Sequence, residues 1–335
     1  MPLFPEELVL PRPGAGPSTR CPIPAPPESS FTETFGALLP PTKYVNTSNG
    51  KAAYYDISPS LSGSSTTTPD RVLLIHGVQT PALGLLPLSR ALQDSFPHRH
   101  FVLFDLWGHG LSDTPFLPHE SSLFHQLIDA LFKQLEWTSA HLIGFSFGGA
   151  LTAGYTASRT LRVESFTLIA PAGLMRSSEL APEEQGHMRG GGDESVARKW
   201  VHNWLNGGEL VVPADWKERV AKGEVVAPAL REWQLREHGG HVASVVGMIR
   251  DGGAFDDHAT FVEAARTGIP SLAILGGLDN ICSSQDLKDV GITNVAIVPE
   301  VGHEVVRQRV PEVATLISEF WKTMDHANSR GIRKS

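Results

Sequence analysis

Cysteine is scarce in this chain of 335 residues, in which only Cys21 and Cys282 occur. Two cysteines so far apart cannot supply the disulfide framework on which many small secreted domains depend. No stretch approaches the roughly 20 apolar residues of a membrane-spanning helix, and prolines and acidic residues interrupt the start of the chain where a signal peptide would be apolar. We therefore expect a soluble, cytoplasmic protein without a membrane span.

Sequence patterns that hold cofactors are also missing. The nearest approach to a metal site is the pair His238 and His241, together with the distant His187. No third or fourth ligand stands at the spacing to this pair that zinc requires. The segment around His238 is instead expected to be a solvated loop. No glycine-rich phosphate-binding pattern follows a predicted strand. The sequence therefore predicts no metal and no nucleotide cofactor.

The charge balance narrows the class of partner. The chain has 28 basic and 36 acidic side chains, a formal net charge of -8, and these charges are scattered. An acidic surface argues against nucleic acid as the main partner. We expect a small-molecule substrate, neutral rather than charged, and the oligomeric state stays open.

Composition divides the chain into four parts. Residues 1–41 hold 11 of the 25 prolines and no helical periodicity, so they are predicted to form an extended or disordered N-terminal arm. Residues 42–173 and 268–325 are predicted to form the core. A helical cap is expected over residues 174–267, and a C-terminal tail over residues 326–335.

Within the predicted core, short apolar runs alternate with amphipathic helices. Runs of this kind are typical of strands that are covered on both faces, as in parallel sheets. Asn49-Gly50 suits a tight hairpin turn and predicts an antiparallel start to the sheet. The fold class is therefore α/β, with a doubly wound, mostly parallel, eight-stranded sheet. The runs are Val72–Ile75, Phe101–Phe104, Leu142–Phe145, Phe166–Ile169, Leu272–Leu275 and Val295–Val298.

The alternation stops between Gly173 and Thr267, where helix-forming residues and four tryptophans take over. This segment is interpreted as a mostly helical cap over the carboxyl edge of the sheet, the edge at which open α/β sheets place their ligands. The tryptophans are expected mainly to hold the cap together.

Ser146 is the candidate nucleophile. Residues 144–148 read Gly-Phe-Ser-Phe-Gly, between a predicted strand that ends near Phe145 and a predicted helix that begins at once afterwards. A serine on such a strand-to-helix turn is forced outward, and its small neighbours let the helix pass close to the sheet. An inert serine in a glycine-rich turn is the alternative.

His303 and Asp279 are the candidate base and acid. A serine hydroxyl needs a base to become nucleophilic, and His303 follows the predicted strand that ends at Val298. Asp279 follows the preceding strand, so the chain order is Ser, Asp, His. The other histidines considered, His98, His100, His119 and His125, are expected on the surface. Cys282, near Asp279, is expected to fill space by packing rather than to take part in chemistry.

The turn after the first central strand is the candidate oxyanion hole. Gly77 and Val78 follow that strand, and a tight turn there can aim backbone N–H groups at a developing negative charge. The predicted donors are the backbone N–H groups of Val78 and Phe147. His76 is expected to support this turn rather than to act as the base.

These segments together resemble the capped α/β-hydrolase superfamily. The resemblance rests on His76-Gly77, on Asp105-Leu-Trp-Gly-His-Gly-Leu-Ser-Asp113, on residues 144–149, on residues 275–279 and on Gly302-His303, and it spans about residues 42–323. It implies that Asp105 is a structural residue of its loop, and it says little about the substrate.

The reaction predicted first is hydrolysis of a carboxyl ester, thioester or lactone of a small, largely apolar substrate by a serine hydrolase. Members of the superfamily that use an aspartate nucleophile are disfavoured, because position 146 is serine. Cleavage of a carbon–carbon bond, a non-hydrolytic reaction, and ligand binding by a receptor of the same fold remain alternatives.

Overall fold

A single mixed sheet organises the molecule. The computed structural model describes residues 8–16, 19–60 and 70–332. Within these ranges eight strands form one sheet in the order β1-β2-β4-β3-β5-β6-β7-β8. The strands are Lys43–Thr47 (β1), Gly50–Ile57 (β2), Arg71–Ile75 (β3), His100–Phe104 (β4), Ala140–Phe145 (β5), Val163–Ile169 (β6), Ser271–Gly276 (β7) and Val295–Val298 (β8).

The α-helices lie before, between and after the strands. In chain order they are Glu28–Phe35 (α1), Leu86–Ser95 (α2), Ser121–Gln134 (α3), Phe147–Ser158 (α4), Pro182–Arg189 (α5), Glu194–Asn206 (α6), Trp216–Ala221 (α7), Ala227–Glu237 (α8), His241–Asp251 (α9), His258–Arg266 (α10), Ser284–Asp289 (α11), Val305–Gln308 (α12) and Val310–Ile332 (α13). Of those helices that the structure describes, none combines the length and the apolar character needed to cross a membrane.

The pairing of the strands confirms the predicted sheet. β1 and β2 form an antiparallel hairpin in which Thr47 pairs with Gly50, and β2 pairs antiparallel with β4. All the remaining neighbours are parallel. Parallel strands end at a common edge, so the loops that follow β3, β5, β7 and β8 meet there.

Both faces of the sheet are covered. Consecutive residues of a strand point to opposite faces, and in β3 Leu73 belongs to one buried hydrophobic cluster while Leu74 belongs to another. The first cluster includes α3 and α4, with Leu127 and Leu151, and the second includes α2 and α13. Two covered faces explain why these strands are continuous apolar runs, and they confirm the doubly wound arrangement.

Residues 174–267, called the cap segment below, contain helices α5 to α10 and none of the eight strands. The predicted helical character of this segment is therefore confirmed. Its last helix also packs on the core, because Phe261 of α10 is fully buried and a Cβ on Gly173 would lie 2.7 Å from its ring.

The N-terminal arm is more ordered than its composition suggests. The prediction of an extended or disordered arm is wrong for residues 28–35, which form α1. Residues 1–7 and 17–18 of the arm lie outside the described residues. Phe31 and Phe35 are buried, and the Phe31 ring lies 5.2 Å from the ring of Trp233 in α8. A helix this short is stabilised by tertiary packing rather than by its own sequence, so no periodicity in the sequence predicts it.

The C-terminal boundary also differs from the prediction. Helix α13 continues to Ile332, so the tail predicted from residue 326 is helical as far as Ile332, and residues 333–335 lie outside the described residues. Extending an existing helix adds one hydrogen bond for each residue ordered, which requires no apolar pattern in the added turns.

Candidate active site

Ser146 lies on a sharp turn between β5 and α4. Its backbone has φ 55° and ψ -120°, a conformation that an L-residue adopts only when its surroundings enforce it. Two glycines make the turn possible: a Cβ on Gly144 would lie 2.2 Å from the Gly148 carbonyl oxygen, and a Cβ on Gly148 would lie 2.1 Å from the Ile75 carbonyl oxygen. The close approach of α4 to β3 places the Ser146 side chain at the carboxyl edge of the sheet.

His303 comes to Ser146 from the loop after β8. Its Nε2 lies 2.9 Å from Ser146 Oγ, and its ring lies 5.2 Å from the ring of Phe145. The loop is held against the loop after β7, because a Cβ on Gly276 would lie 2.3 Å from the Gly302 carbonyl oxygen. Glycine at position 276 is therefore what allows the two loops to touch.

Asp279 lies behind the imidazole. Its Oδ2 is 3.0 Å from His303 Nδ1, its Oδ1 accepts a hydrogen bond from the Ile281 N–H at 2.9 Å, and its side chain has no exposed surface. An ionised carboxylate can only accept, so Nδ1 carries the proton of this pair. Nε2 is then left to accept the hydrogen of the Ser146 hydroxyl. The three side chains predicted from sequence thus form one continuous hydrogen-bonded chain.

Val78 and Phe147 border the same cavity as Ser146. Phe147 is the first residue of α4, so its N–H has no acceptor within the helix. Among the described residues, the Val78 N–H donates none of the hydrogen bonds found. The turn is close to the serine because residue 77 is glycine: a Cβ there would lie 2.8 Å from Ser146 Cβ. Both predicted oxyanion donors are therefore adjacent to the nucleophile.

His76 supports this turn, as the sequence suggested. Its Nε2 accepts a hydrogen bond from the Leu106 N–H at 2.9 Å, and its Nδ1 donates to the Gly77 carbonyl at 2.6 Å. Burial lowers the pKa of His76 to about 4, so the ring is neutral at physiological pH. A ring with both nitrogens engaged in this way has no nitrogen left to accept a proton from Ser146.

Asp105 organises the loop after β4. One of its oxygens accepts from the Ala82 N–H at 2.8 Å, and the other accepts from the Tyr55 hydroxyl at 2.8 Å and the Leu111 N–H at 3.0 Å. A Cβ on Gly110 would lie 2.2 Å from the same carboxylate. Burial raises the pKa of Asp105 to about 6 against the effect of these hydrogen bonds. These contacts fit the structural role that the resemblance implies.

A cavity of about 500 Å³ opens over Ser146 and His303. This volume is within the range of small-molecule sites, about 300 to 1,000 Å³. The core and the cap segment both contribute residues to its wall. The apolar side chains of the wall include Phe145, Met175, Trp204, Leu205, Ile249 and Ile281.

One part of the wall is charged, which the sequence analysis missed. Arg231 of α8 donates to Glu304 at 2.6 Å, and Arg307 pairs with the same carboxylate at 2.5 Å through its Nε. Burial alone would raise the pKa of Glu304, but the charges of Arg307 and Arg231 outweigh it and lower that pKa to about 2. Glu304 follows His303 directly, so its neighbourhood was visible in the sequence, whereas nothing in the sequence connects Arg231 to this site.

Several histidines are placed differently from the prediction. His119 and His125 are buried rather than on the surface, and His238 and His241 are buried rather than in a solvated loop. The rings of His238 and His241 instead join the cap segment to the loop after β4, where they bond to the Ser112 and Gly108 carbonyls at 2.8 Å each. Within residues 8–16, 19–60 and 70–332, no three histidine, cysteine, aspartate or glutamate side chains are grouped as a metal site would require.

The model of the alpha/beta hydrolase family matches residues 72–316 of this chain. Over 254 residues the chain is 26% identical to the dihydrolipoyllysine-residue acetyltransferase component of the acetoin cleaving system of Pseudomonas putida, a match that covers 75% of this chain but only 62% of that longer protein. Over 231 residues it is 25% identical to the AB hydrolase superfamily protein YisY of Bacillus subtilis (strain 168), covering 66% of this chain and 80% of that protein.

The fold is also that of a solved enzyme structure. The chain superposes on the enol-lactonase from Burkholderia xenovorans LB400 with a TM-score of 0.62 and 18% sequence identity, covering 84% of this chain and 100% of that one. At this identity the likeness concerns the fold alone. The family model, in contrast, covers well over half of the sequence and includes Ser146, Asp279 and His303. The chain therefore belongs to the alpha/beta hydrolase family.

Proposed function

We propose that this protein is a serine hydrolase that cleaves a carboxyl ester, thioester or lactone of a small, largely apolar substrate. The observation that carries the proposal is the hydrogen-bonded chain from Ser146 Oγ through His303 to Asp279, with distances of 2.9 and 3.0 Å. A protein that only binds a ligand has no need of a serine held on a strained turn against a correctly oriented imidazole.

The reaction would proceed in two halves. The Ser146 hydroxyl attacks the carbonyl carbon while His303 Nε2 takes its proton, and the carbonyl oxygen becomes an oxyanion next to the N–H groups of Val78 and Phe147. As the tetrahedral intermediate collapses, His303 gives the proton to the leaving alcohol, thiol or enol. Water then attacks the acyl enzyme with His303 again acting as base, which releases the acid and restores the serine.

The surroundings of Ser146 support an acyl substrate of modest size. Residues 174–267 would act as a cap that closes the cavity, and the wall that they share with the core is mostly apolar near Phe145, Trp204 and Ile249. Such a wall excludes water and so strengthens the electrostatic contacts to the oxyanion.

The test compares wild type with Ser146→Ala, using a short p-nitrophenyl ester for turnover and a fluorophosphonate for covalent labelling. We expect stoichiometric labelling and a burst of p-nitrophenol in the wild type, and the loss of both in the variant. Ser158→Ala is the matched control, because Ser158 is exposed at the far end of the same helix, and it should keep both activities.

The outcome also separates this proposal from its alternatives. If folded wild type is neither labelled nor active, Ser146 is not an activated nucleophile, and ligand binding or a non-hydrolytic reaction becomes the better interpretation. Labelling without any ester turnover would instead direct the search to carbon–carbon bonds next to a ketone.

A further inference from the structure

The charged part of the cavity wall has more positively charged than negatively charged side chains. Apart from His303, the ionisable side chains among the described lining residues are Arg231, Arg307 and Glu304. Arginine is protonated at all relevant pH values, and Glu304 stays ionised because its pKa is about 2. One carboxylate is therefore shared by two guanidinium groups, and this part of the wall carries one uncompensated positive charge.

The two arginines are not equivalent. Arg307 pairs with Glu304 within one helical turn, its guanidinium lies 4.9 Å from the centre of the Phe145 ring, and only 9% of its side chain is exposed. It is a fixed part of the core. Arg231 reaches Glu304 from the cap segment with 15% of its side chain exposed.

Arg231 also has donors that the protein does not satisfy well. Its Nη1 reaches Asn206 Oδ1 only at 3.4 Å, and its Nε is buried without a hydrogen-bond partner among the described residues. A buried donor without an acceptor is costly, and native proteins satisfy nearly all such groups. Because Nε has no accessible surface, the donor that can take a further acceptor from the cavity is Nη1, whose contact with Asn206 is long.

We propose that Arg231 binds a carboxylate of the substrate, so that the preferred ester, thioester or lactone carries a free carboxylate on an otherwise apolar body. This inference rests on the proposed hydrolase function and concerns the same cavity. A carboxylate matches the planar edge of a guanidinium and can accept two parallel hydrogen bonds from it. It also brings one negative charge for the one positive charge in excess, whereas a phosphate monoester would bring nearly two.

The net charge of the chain does not argue against this. A formal charge of -8 describes the whole surface, and it made a neutral substrate the first expectation. The wall beside His303 differs locally, and a buried cation acts on its neighbours much more strongly than distant, screened surface charges do.

The experiment uses two substrates that differ only in this charge, mono-p-nitrophenyl adipate and its methyl ester, with the spontaneous rates subtracted. For the wild type we expect kcat/KM to be about tenfold to a hundredfold higher for the free acid, the range that a charge-assisted hydrogen bond typically provides. Arg231→Gln should bring the ratio of kcat/KM for the acid to kcat/KM for the methyl ester close to one, mainly by raising KM for the acid. Arg231→Lys, which keeps the charge, should restore part of the preference for the acid over the methyl ester.

Arg236→Gln is the matched control, since Arg236 is on the same helix with about half of its side chain exposed and pairs with Glu237 outside the cavity. It should keep the full preference for the acid. If wild type hydrolyses the methyl ester as well as the acid, the inference is overturned while the hydrolase proposal stands, and this result needs no variant to fold. If wild type hydrolyses neither ester and fluorophosphonate does not label Ser146, the hydrolase proposal fails and takes the inference with it.

Discussion

Acidification is expected to unfold this protein at about pH 5, because the fold buries neutral histidines that must ionise when the chain unfolds. Burial lowers the pKa of five histidines to about 4, from an ordinary value of 6.5. These five are His76, His119, His125, His202 and His238. Between pH 6.5 and pH 4 the unfolded chain therefore binds protons that the folded chain does not.

The direction and the size of the effect follow from this difference. A histidine whose pKa is lower in the folded state than in the unfolded state does not reduce the free energy of unfolding above pH 6.5. As the pH falls from 6.5 toward 4, it reduces that free energy more and more. With these pKa values each histidine costs about 2 kcal/mol of folding stability at pH 5. Asp105 acts in the opposite sense, because its pKa in the folded state is raised to about 6. Its protonation adds about 1 kcal/mol of folding stability over the same pH range. The remaining loss, on the order of 8 kcal/mol, is comparable to the whole stability of a typical domain.

The assay is urea unfolding followed by tryptophan fluorescence at half-unit steps from pH 7.5 to pH 4.5. The free energy of unfolding should be nearly constant above pH 7 and should fall with a slope that corresponds to about four protons near pH 5. His125→Gln should reduce that slope by about one proton, whereas His98→Gln, at an exposed position, should leave it unchanged. A free energy of unfolding that is flat between pH 7 and pH 5 would refute the reasoning, as would equal effects of the two variants.

Three further predictions concern single side chains. Gly77→Ala should lower kcat/KM for a p-nitrophenyl ester by at least about 100-fold, because its Cβ would lie 2.8 Å from Ser146 Cβ, and an unchanged value would mean that the turn can move. Asp279→Asn should lower kcat by about 10⁴-fold through the wrong imidazole tautomer, and a loss below tenfold would remove Asp279 from the triad. Phe31→Ala should cost about 3 to 5 kcal/mol of unfolding free energy, measured in urea, because its ring is buried against Trp233, and a cost below about 1 kcal/mol would show that the arm does not pack there.

The sheet and the three reactive side chains were predictable because local patterns encode them. A strand covered on both faces must be a continuous apolar run, and the run before Ser146 becomes β5 with all six of its residues buried. Ser146 and Asp279 each follow such a strand within a few residues, whereas His303 follows β8, an edge strand in which Ile297 is exposed and the prediction of two covered faces is wrong. Since parallel strands end at one edge of a sheet, the order of the chain was enough to place these residues together.

The histidines show where such reasoning fails. His119 lies among polar residues in the sequence and His125 lies next to Phe124 in an amphipathic helix; a surface position was predicted for both, yet both are buried. His125 donates from Nε2 to the Leu151 carbonyl at 3.0 Å, across the contact between α3 and α4. A partner 26 residues away leaves no trace in local periodicity, and a neutral imidazole can replace an apolar side chain when its N–H finds such an acceptor.

The same contrast separates the class of reaction from the choice of substrate. The groups that would perform the chemistry lie on short loops after strands, where backbone geometry constrains each residue type, as the Cβ contacts of Gly77 and Gly148 show. The groups that would select the substrate, such as Trp204 and Arg231, come from helices of the cap segment, where no comparable short motif marks them in the sequence. Arg231 is 73 residues from Glu304 in the chain, yet the two side chains are 2.6 Å apart in the cavity wall. A change at Trp204 would therefore alter the apolar wall of the cavity while Ser146, Asp279 and His303 keep their hydrogen bonds.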